Sequence, residues 1–148
     1  PCLNTLSKNL KLACHMFSEH GIQPVFEMIN GTDMPRFLVQ NIAQAQEMLE
    51  AVQHPALKMQ YDCYHMAMMG EDVLQGLQEN IQDIGHIQFA DCPGRHEPDT
   101  AQIMYANIFE WLQHSSYGGF IAAEYRPKTV STQSFAWKAK YFAAHPQS

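Results

Sequence analysis

The sequence predicts an α/β protein built around a parallel sheet. Four apolar, strand-like runs recur along the chain, and each is followed by a loop and then by a stretch with helical spacing. Each run also ends at or near a polar residue. Strict alternation of strand and helix produces parallel strands with right-handed crossovers. Two architectures fit this pattern: a small open α/β sheet, or part of a (β/α) barrel.

The predicted elements begin with a helix over residues 3–19. It carries Leu6 and Leu10 on one face and ends before Gly21, which is typical of a helix C-terminus. The predicted strands cover residues 23–27, 57–62, 84–90 and 120–124. The predicted helices that follow them cover residues 37–52, 71–82, 105–114 and 132–143. The longest predicted loop, from 91 to 103, is rich in proline, glycine and charge and precedes the third of these helices.

Length and composition indicate a single globular domain over residues 1–148. Hydrophobic residues make up 46% of the chain, which is enough for a core. The net charge of −6 argues against nucleic acid and anionic membrane surfaces as partners. We expect no membrane span, no signal peptide, and a chain that starts in mid-fold. The four cysteines lack metal-binding spacing, so we expect free thiols in a cytoplasmic protein.

Four oxygen-bearing side chains mark the ends of the four predicted strands. They are Glu27, Asp62, Gln88 and Glu124. Because parallel strands end at one rim, three carboxylates and one amide oxygen converge there and predict a hard-cation site. Oxygen ligands favour Mg²⁺ or Mn²⁺ over Zn²⁺. An acid that ends a single strand is more often a solvated rim residue or a helix cap, so the prediction depends on all four together.

Three further residues near these strand ends have alternative interpretations. His65 directly follows the second ligand strand and is either a substrate contact or a hydrogen-bonded core histidine. Arg95 suits a substrate carboxylate, or forms a surface ion pair with Glu97 or Asp99. His96 is balanced between a substrate contact and no functional role.

Four segments of the chain resemble the hydroxypyruvate isomerase family, which belongs to the xylose isomerase-like barrels. The segment IQFADCPGRHEP at 87–98 resembles the family's HxQxADxPGRHEPGTG. The segments FEMIN at 26–30, YDCYHM at 61–66 and AAEYRP at 122–127 resemble its ExIN, FDxYHM and GxEYxP motifs. The resemblance covers nearly the whole chain but only the second half of the family's barrel. It implies a parallel (β/α) barrel of the xylose-isomerase-like type, with about four βα units present here.

The resemblance also implies roles for individual residues. In the family, the residues that match Glu27, Asp62, Gln88 and Glu124 bind a divalent metal. Those that match Glu27 and Glu124 also form the proton-transfer pair, and those that match His65 and Arg95 lie near the substrate. The residue Gln88 separates this group from the ketose 3-epimerases, which have a histidine there. The chain departs from the family pattern at Asp99, Ala101 and Gln102, and two lost glycines restrict a loop that can close over a ligand.

Together these features predict a metal-dependent isomerase that moves a carbonyl between adjacent carbons through an enediolate. The expected substrates are hydroxypyruvate, in exchange with tartronate semialdehyde, or a related small 2-oxo or hydroxy acid. The alternative is an inactive half barrel, or a non-catalytic domain that needs a partner to complete it. Isolated half barrels leave edge strands unpaired, so we expect a homo-oligomer or a missing N-terminal half. The uncovered inner face would carry Val25, Met59, Ile87 and Ala122, or their strand neighbours.

Overall fold

A four-stranded parallel sheet forms the centre of the molecule, in a computed structural model that describes residues 2–142. Its strands, in the spatial order β1-β2-β3-β4, are β1 (Val25–Glu27), β2 (Lys58–Asp62), β3 (Ile84–Phe89) and β4 (Ile121–Ala123). The helices are α1 (Cys2–Ser18), α2 (Ile42–Val52), α3 (Cys63–Met68), α4 (Val73–Asn80), α5 (Tyr105–His114) and α6 (Ala136–Phe142), and a 3-10 turn covers Ile81–Asp83. Each strand pairs in parallel with the next one along the chain, which confirms the predicted α/β class.

The helix boundaries differ from the prediction where side chains cap the backbone. The second helix begins at Ile42 rather than at residue 37, because the Asn41 side chain accepts a hydrogen bond from the Gln44 amide. The short helix α3 was not predicted; the Asp62 carboxylate starts it by accepting a bond from the Tyr64 amide. The last helix begins at Ala136 rather than 132, and its predicted end at residue 143 lies outside the described residues. No helix within 2–142 is long and apolar enough to cross a membrane.

One face of the sheet is covered by helices and forms the core. Alternate side chains of the two central strands point into it, and Met59, Tyr61, Ile87 and Phe89 are all buried. The Phe89 ring lies 5.3 Å from the Phe109 ring of α5, centroid to centroid. Rings from α5 and α6 therefore pack directly on β3 and hold the C-terminal half of the chain against the sheet.

The opposite face of the sheet is open, and it is more polar than expected. The register places Gln60 beside His86 and Asp62 beside Gln88 on this face. Met59 and Ile87 do not line it, because strand alternation turns both toward the helices; their strand neighbours Gln60 and Gln88, the predicted alternative, take these places. The outer strands β1 and β4 each pair on one side only within the described residues.

Candidate functional site

The four predicted ligand residues lie at the C-terminal ends of the four strands. Glu27 and Asp62 are the last residues of β1 and β2. Gln88 is in register with Asp62, and Glu124 directly follows β4, where its amide donates to the Phe89 carbonyl at 3.1 Å. Parallel pairing in sequential order therefore brings all four to one end of the sheet.

Asp62 has two separate environments for its two carboxylate oxygens. Its side chain is fully buried. One oxygen, Oδ1, caps α3 by accepting from the Tyr64 amide at 2.8 Å. The other, Oδ2, faces the cleft, 3.8 Å from His65 Nε2 and 3.4 Å from the Arg95 guanidinium. The sequence therefore supplies a buried carboxylate whose position is fixed by one oxygen while the other remains available.

Glu27 completes an anionic cluster with Asp62 and His65. Its Oε1 lies 3.7 Å from His65 Nε2, and one possible ligand atom from each of the three residues lies within 4.8 Å of the others. This Oε1 is buried and has no hydrogen-bond partner among the described residues. Burial, followed by the charges of Asp62 and Glu124, raises the pKa of Glu27 to about 7. Burial likewise raises the pKa of Asp62 to about 6. A positive charge nearby would therefore stabilise the ionised form of both carboxylates.

Arg95 places its guanidinium between two of the predicted ligands. It donates to Glu124 at 2.7 Å and approaches Asp62 Oδ2 at 3.4 Å. Its cationic carbon lies 5.1 Å from the centre of the Tyr64 ring. The alternative of a surface pair with Glu97 or Asp99 is wrong in the described part of the chain, because Arg95 turns inward to the strand ends.

Gln88 and His65 are both held by side-chain amides. Gln88 Oε1 accepts a hydrogen bond from Gln60 Nε2 at 2.6 Å, which leaves its second lone pair free. His65 Nδ1 lies 2.6 Å from Asn30 Nδ2. Burial, assisted by the charge of Arg95, lowers the pKa of His65 to about 4, so its ring is neutral near pH 7.

A cleft of about 620 Å³ opens over these residues. Its walls include Glu27, Asp33, Tyr64, His65, Arg95 and Glu124. Arg126 lies on the same wall, and its amide donates to the Arg95 carbonyl at 2.7 Å. His96 is not part of this lining: its Nδ1 lies 2.6 Å from the Arg126 carbonyl. The structure thus brings six of the seven predicted site residues to the strand ends and turns His96 toward the backbone beside them.

The loop after β3 is organised by Asp91, which the sequence analysis did not select. Its side chain is fully buried and accepts five backbone N–H bonds. These come from Cys92, Thr100, Ala101, Gln102 and Ile103, at 2.9 to 3.0 Å. The only available signal was an acid placed just before the long loop.

The departures from the family pattern are accommodated within this loop. Asp99 stands where the family tends to have glycine and adopts the left-handed conformation, with φ of 69°. Its carboxylate accepts from Lys140 at 2.8 Å and from Tyr141 at 2.5 Å. Contacts with α6 therefore hold a backbone conformation that a side chain disfavours.

Comparison with known proteins agrees with this geometry. A family model described as xylose isomerase-like TIM barrel matches residues 1–141. The 2-oxo-tetronate isomerase of Cupriavidus necator is 35% identical over 140 residues, which cover 95% of this chain and 54% of that protein. The hydroxypyruvate isomerase of Escherichia coli is 35% identical over 137 residues, which cover 93% of this chain and 53% of that protein.

The solved structures show the same relation. The crystal structure of an AP endonuclease, family 2, from Brucella melitensis superposes with a TM-score of 0.90 at 29% identity, covering 95% of this chain and 54% of that one. The chain spans about half the length of the curated relatives it matches. Its four βα units correspond to about half of an eight-stranded barrel. The chain therefore belongs to the xylose isomerase-like TIM barrel family.

Proposed function

We propose that this chain carries the metal-binding and proton-transfer residues of an isomerase acting on small 2-oxo and hydroxy acids. The reaction moves a carbonyl between adjacent carbons and, for hydroxypyruvate, yields tartronate semialdehyde. The observation that carries the proposal is the convergence of Glu27, Asp62 and Glu124 on one rim, two of them with raised pKa values. The names of the two relatives, hydroxypyruvate isomerase and 2-oxo-tetronate isomerase, support this substrate class.

The donor set fits a divalent cation, Mg²⁺ or Mn²⁺. Glu27, Asp62 and Glu124 would hold it by carboxylate oxygens and Gln88 by its amide oxygen. The buried, unpartnered Oε1 of Glu27 is the oxygen that most needs such a ligand. A bound cation would supply electrostatic stabilisation of the negative charge that develops on the two substrate oxygens.

Glu27 and Glu124 are the proposed proton-transfer pair. One carboxylate removes a proton from a substrate carbon, and the other returns a proton to the neighbouring carbon. Their environments differ, since Glu27 is partly buried with no hydrogen-bond partner for its Oε1 among the described residues, whereas Glu124 is half exposed and bonded to Arg95. Unequal environments let one carboxylate act as the base while the other acts as the acid.

Direct substrate contacts are assigned to His65 and Arg95, and a supporting role to His96, which lies outside the cleft lining. The His65 Nε2 and the Arg95 guanidinium both face the cleft, and a guanidinium suits a substrate carboxylate. Arg95 would be able to exchange Asp62 or Glu124 for the substrate carboxylate if these two residues held a cation. The His96 ring packs on Gly94, where an added Cβ would lie 2.7 Å from His96 Cδ2. It would therefore act by supporting the Arg95 backbone.

A second candidate is a half barrel without activity of its own. The observation that favours it is that, within residues 2–142, β1 and β4 are each paired on one side only, in a chain about half as long as its relatives. A closed barrel would need about four more βα units, from the rest of a longer polypeptide or from a second copy. Sedimentation over a range of concentrations, combined with titration by Mn²⁺, distinguishes the two candidates. A monomer that takes up no Mn²⁺ would favour the inactive half barrel, whereas a dimer, or a longer native polypeptide, would leave the isomerase proposal intact.

The proton-transfer roles are tested by Glu27→Gln and Glu124→Gln in the complete protein. Each change keeps an oxygen for the metal but removes the group that carries the proton. We expect loss of deuterium incorporation from solvent at the substrate carbon, with the fold retained. Glu110→Gln, on the exposed face of α5, is the matched control. Normal exchange in both site variants would place the acid–base pair elsewhere.

A further inference from the structure

We infer that Asn30 is a positioning residue that fixes the His65 imidazole in its Nε2–H tautomer, so that His65 presents a hydrogen-bond donor to the cleft. Asn30 is fully buried and follows β1 by three residues. The tautomer follows from hydrogen bonds alone. Its consequence for turnover rests on the proposed isomerase function.

The backbone determines the orientation of the Asn30 amide. Asn30 Oδ1 accepts from two backbone N–H groups, Thr32 at 3.1 Å and Asp33 at 2.8 Å. Only the oxygen of an amide can accept these bonds, so the NH₂ group must point the other way. That group donates to Asp33 Oδ2 at 3.0 Å and faces His65.

His65 Nδ1 therefore meets two donors. Asn30 Nδ2 lies 2.6 Å away, and the backbone N–H of Asn30 donates at 3.4 Å. A proton on Nδ1 would face both N–H groups, so Nδ1 must offer its lone pair. A neutral imidazole with an acceptor at Nδ1 carries its proton on Nε2.

The Nε2–H group is directed at the cleft, and no hydrogen-bond acceptor for it is found among residues 2–142. Its distances to Glu27 and Asp62 are 3.7 and 3.8 Å, which are too long for hydrogen bonds. Because protonated Nε2 has no lone pair, it cannot bind a metal ion together with the carboxylates, although it lies within their cluster. It is available instead to donate to a substrate oxygen.

The Asn30 amide is prevented from turning by the residues around it. Asp33 Oδ2, which accepts from Asn30, also accepts from the Tyr64 hydroxyl at 2.8 Å. The Tyr64 ring in turn lies against Arg95. Hydrogen bonds therefore connect His65 to Tyr64 through Asn30 and Asp33, and the Tyr64 ring contacts the second cleft-facing donor, Arg95.

Nitrogen NMR of the metal-free protein labelled with ¹⁵N-histidine tests the inference. The signals of His65 are assigned by their loss in His65→Gln. We expect unprotonated Nδ1 and protonated Nε2 in the unaltered protein. In Asn30→Asp, a carboxylate oxygen replaces the NH₂ donor, so Nδ1 should become protonated. Asn80→Asp, a buried asparagine of α4 bonded to Gly76 and Gln46, is the matched control and should leave His65 unchanged.

A protonated Nδ1 in the unaltered protein would overturn the inference, and this measurement stands even if Asn30→Asp fails to fold. An unchanged tautomer in a folded Asn30→Asp protein would overturn it as well. Loss of a partner that orients a functional histidine typically costs about 10- to 100-fold, which we expect in kcat/KM for Asn30→Asp. The NMR result does not depend on activity, so an inactive protein with the expected tautomer would contradict the proposed function and leave the role of Asn30 intact.

Discussion

Substitution of Asp91 by asparagine should strongly destabilise the protein. Asp91 accepts from Cys92, Gln102 and Ile103 through Oδ1, and from Thr100 and Ala101 through Oδ2. An asparagine keeps one oxygen and directs an NH₂ group at the remaining backbone donors. If the asparagine oxygen replaces Oδ1, which accepts three of the bonds, the side chain still loses the two bonds that Oδ2 accepts.

The expected loss follows from the strength of these bonds. Hydrogen bonds to charged groups contribute roughly 1.5–3 kcal/mol each, so two correspond to about 3–6 kcal/mol. Ala101 is exposed and Thr100 is half-buried, so water can reach their freed N–H groups. We therefore expect the lower end, a fall of about 3 kcal/mol in the free energy of unfolding.

Urea unfolding, followed by circular dichroism, measures this difference directly. The matched control is Asp83→Asn, because Asp83 is 44% exposed and its pair with Lys58 spans 4.0 Å. Exposed pairs of this kind contribute less than about 1 kcal/mol. If Asp91→Asn costs no more than Asp83→Asn, the five bonds do not stabilise the loop.

Three further predictions concern the site and the packing beneath it. Asp62→Ala should weaken Mn²⁺ binding more than about 100-fold, because loss of a residue that only supports a metal ligand already costs up to about that much. Equal affinity of the two proteins in calorimetric titration would contradict this. The metal-free protein should lose stability as the pH rises from about 4.5 to about 7, because folded Glu27 and Asp62 retain protons that the unfolded chain releases. Glu27→Gln should reduce this dependence of the melting temperature and leave the part due to Asp62, and an unchanged slope would count against the raised pKa of Glu27. Gly76→Ala should lower the free energy of unfolding, measured in urea, by about 1–3 kcal/mol, because the new Cβ would clash with the Tyr61 hydroxyl and lie 2.9 Å from Ile42 Cδ1. An increase of about 1 kcal/mol, the usual effect of replacing a helical glycine by alanine, would refute the clash.

The candidate metal residues could be predicted because their placement depends on local pattern. The periods of strand and helix identify where each strand ends, and parallel strands end at a common edge. Glu27, Asp62 and Glu124 therefore needed no knowledge of long-range contacts to be selected. Gln88 was placed in register with Asp62 by the same alternation. Their roles in metal binding and proton transfer remain proposals.

The loop and helix boundaries were less predictable because they depend on individual hydrogen bonds. The helix α3 starts at a carboxylate that the sequence analysis had considered only as a metal ligand. Asp91 looked like one acid among several in a charged loop. Five backbone donors converge on it only after residues 100–103 fold back onto its carboxylate.

The sequence by itself determined the parallel α/β order and the rim on which the oxygen side chains meet, because both follow from periodicity and chain direction. Only the tertiary structure decided that Arg95 pairs with Asp62 and Glu124, and that Met59 and Ile87 face the helices. It also decided which nitrogen of His65 carries the proton, through a contact with Asn30, 35 residues away along the chain. These outcomes depend on distances between segments far apart in the chain, which no local pattern encodes.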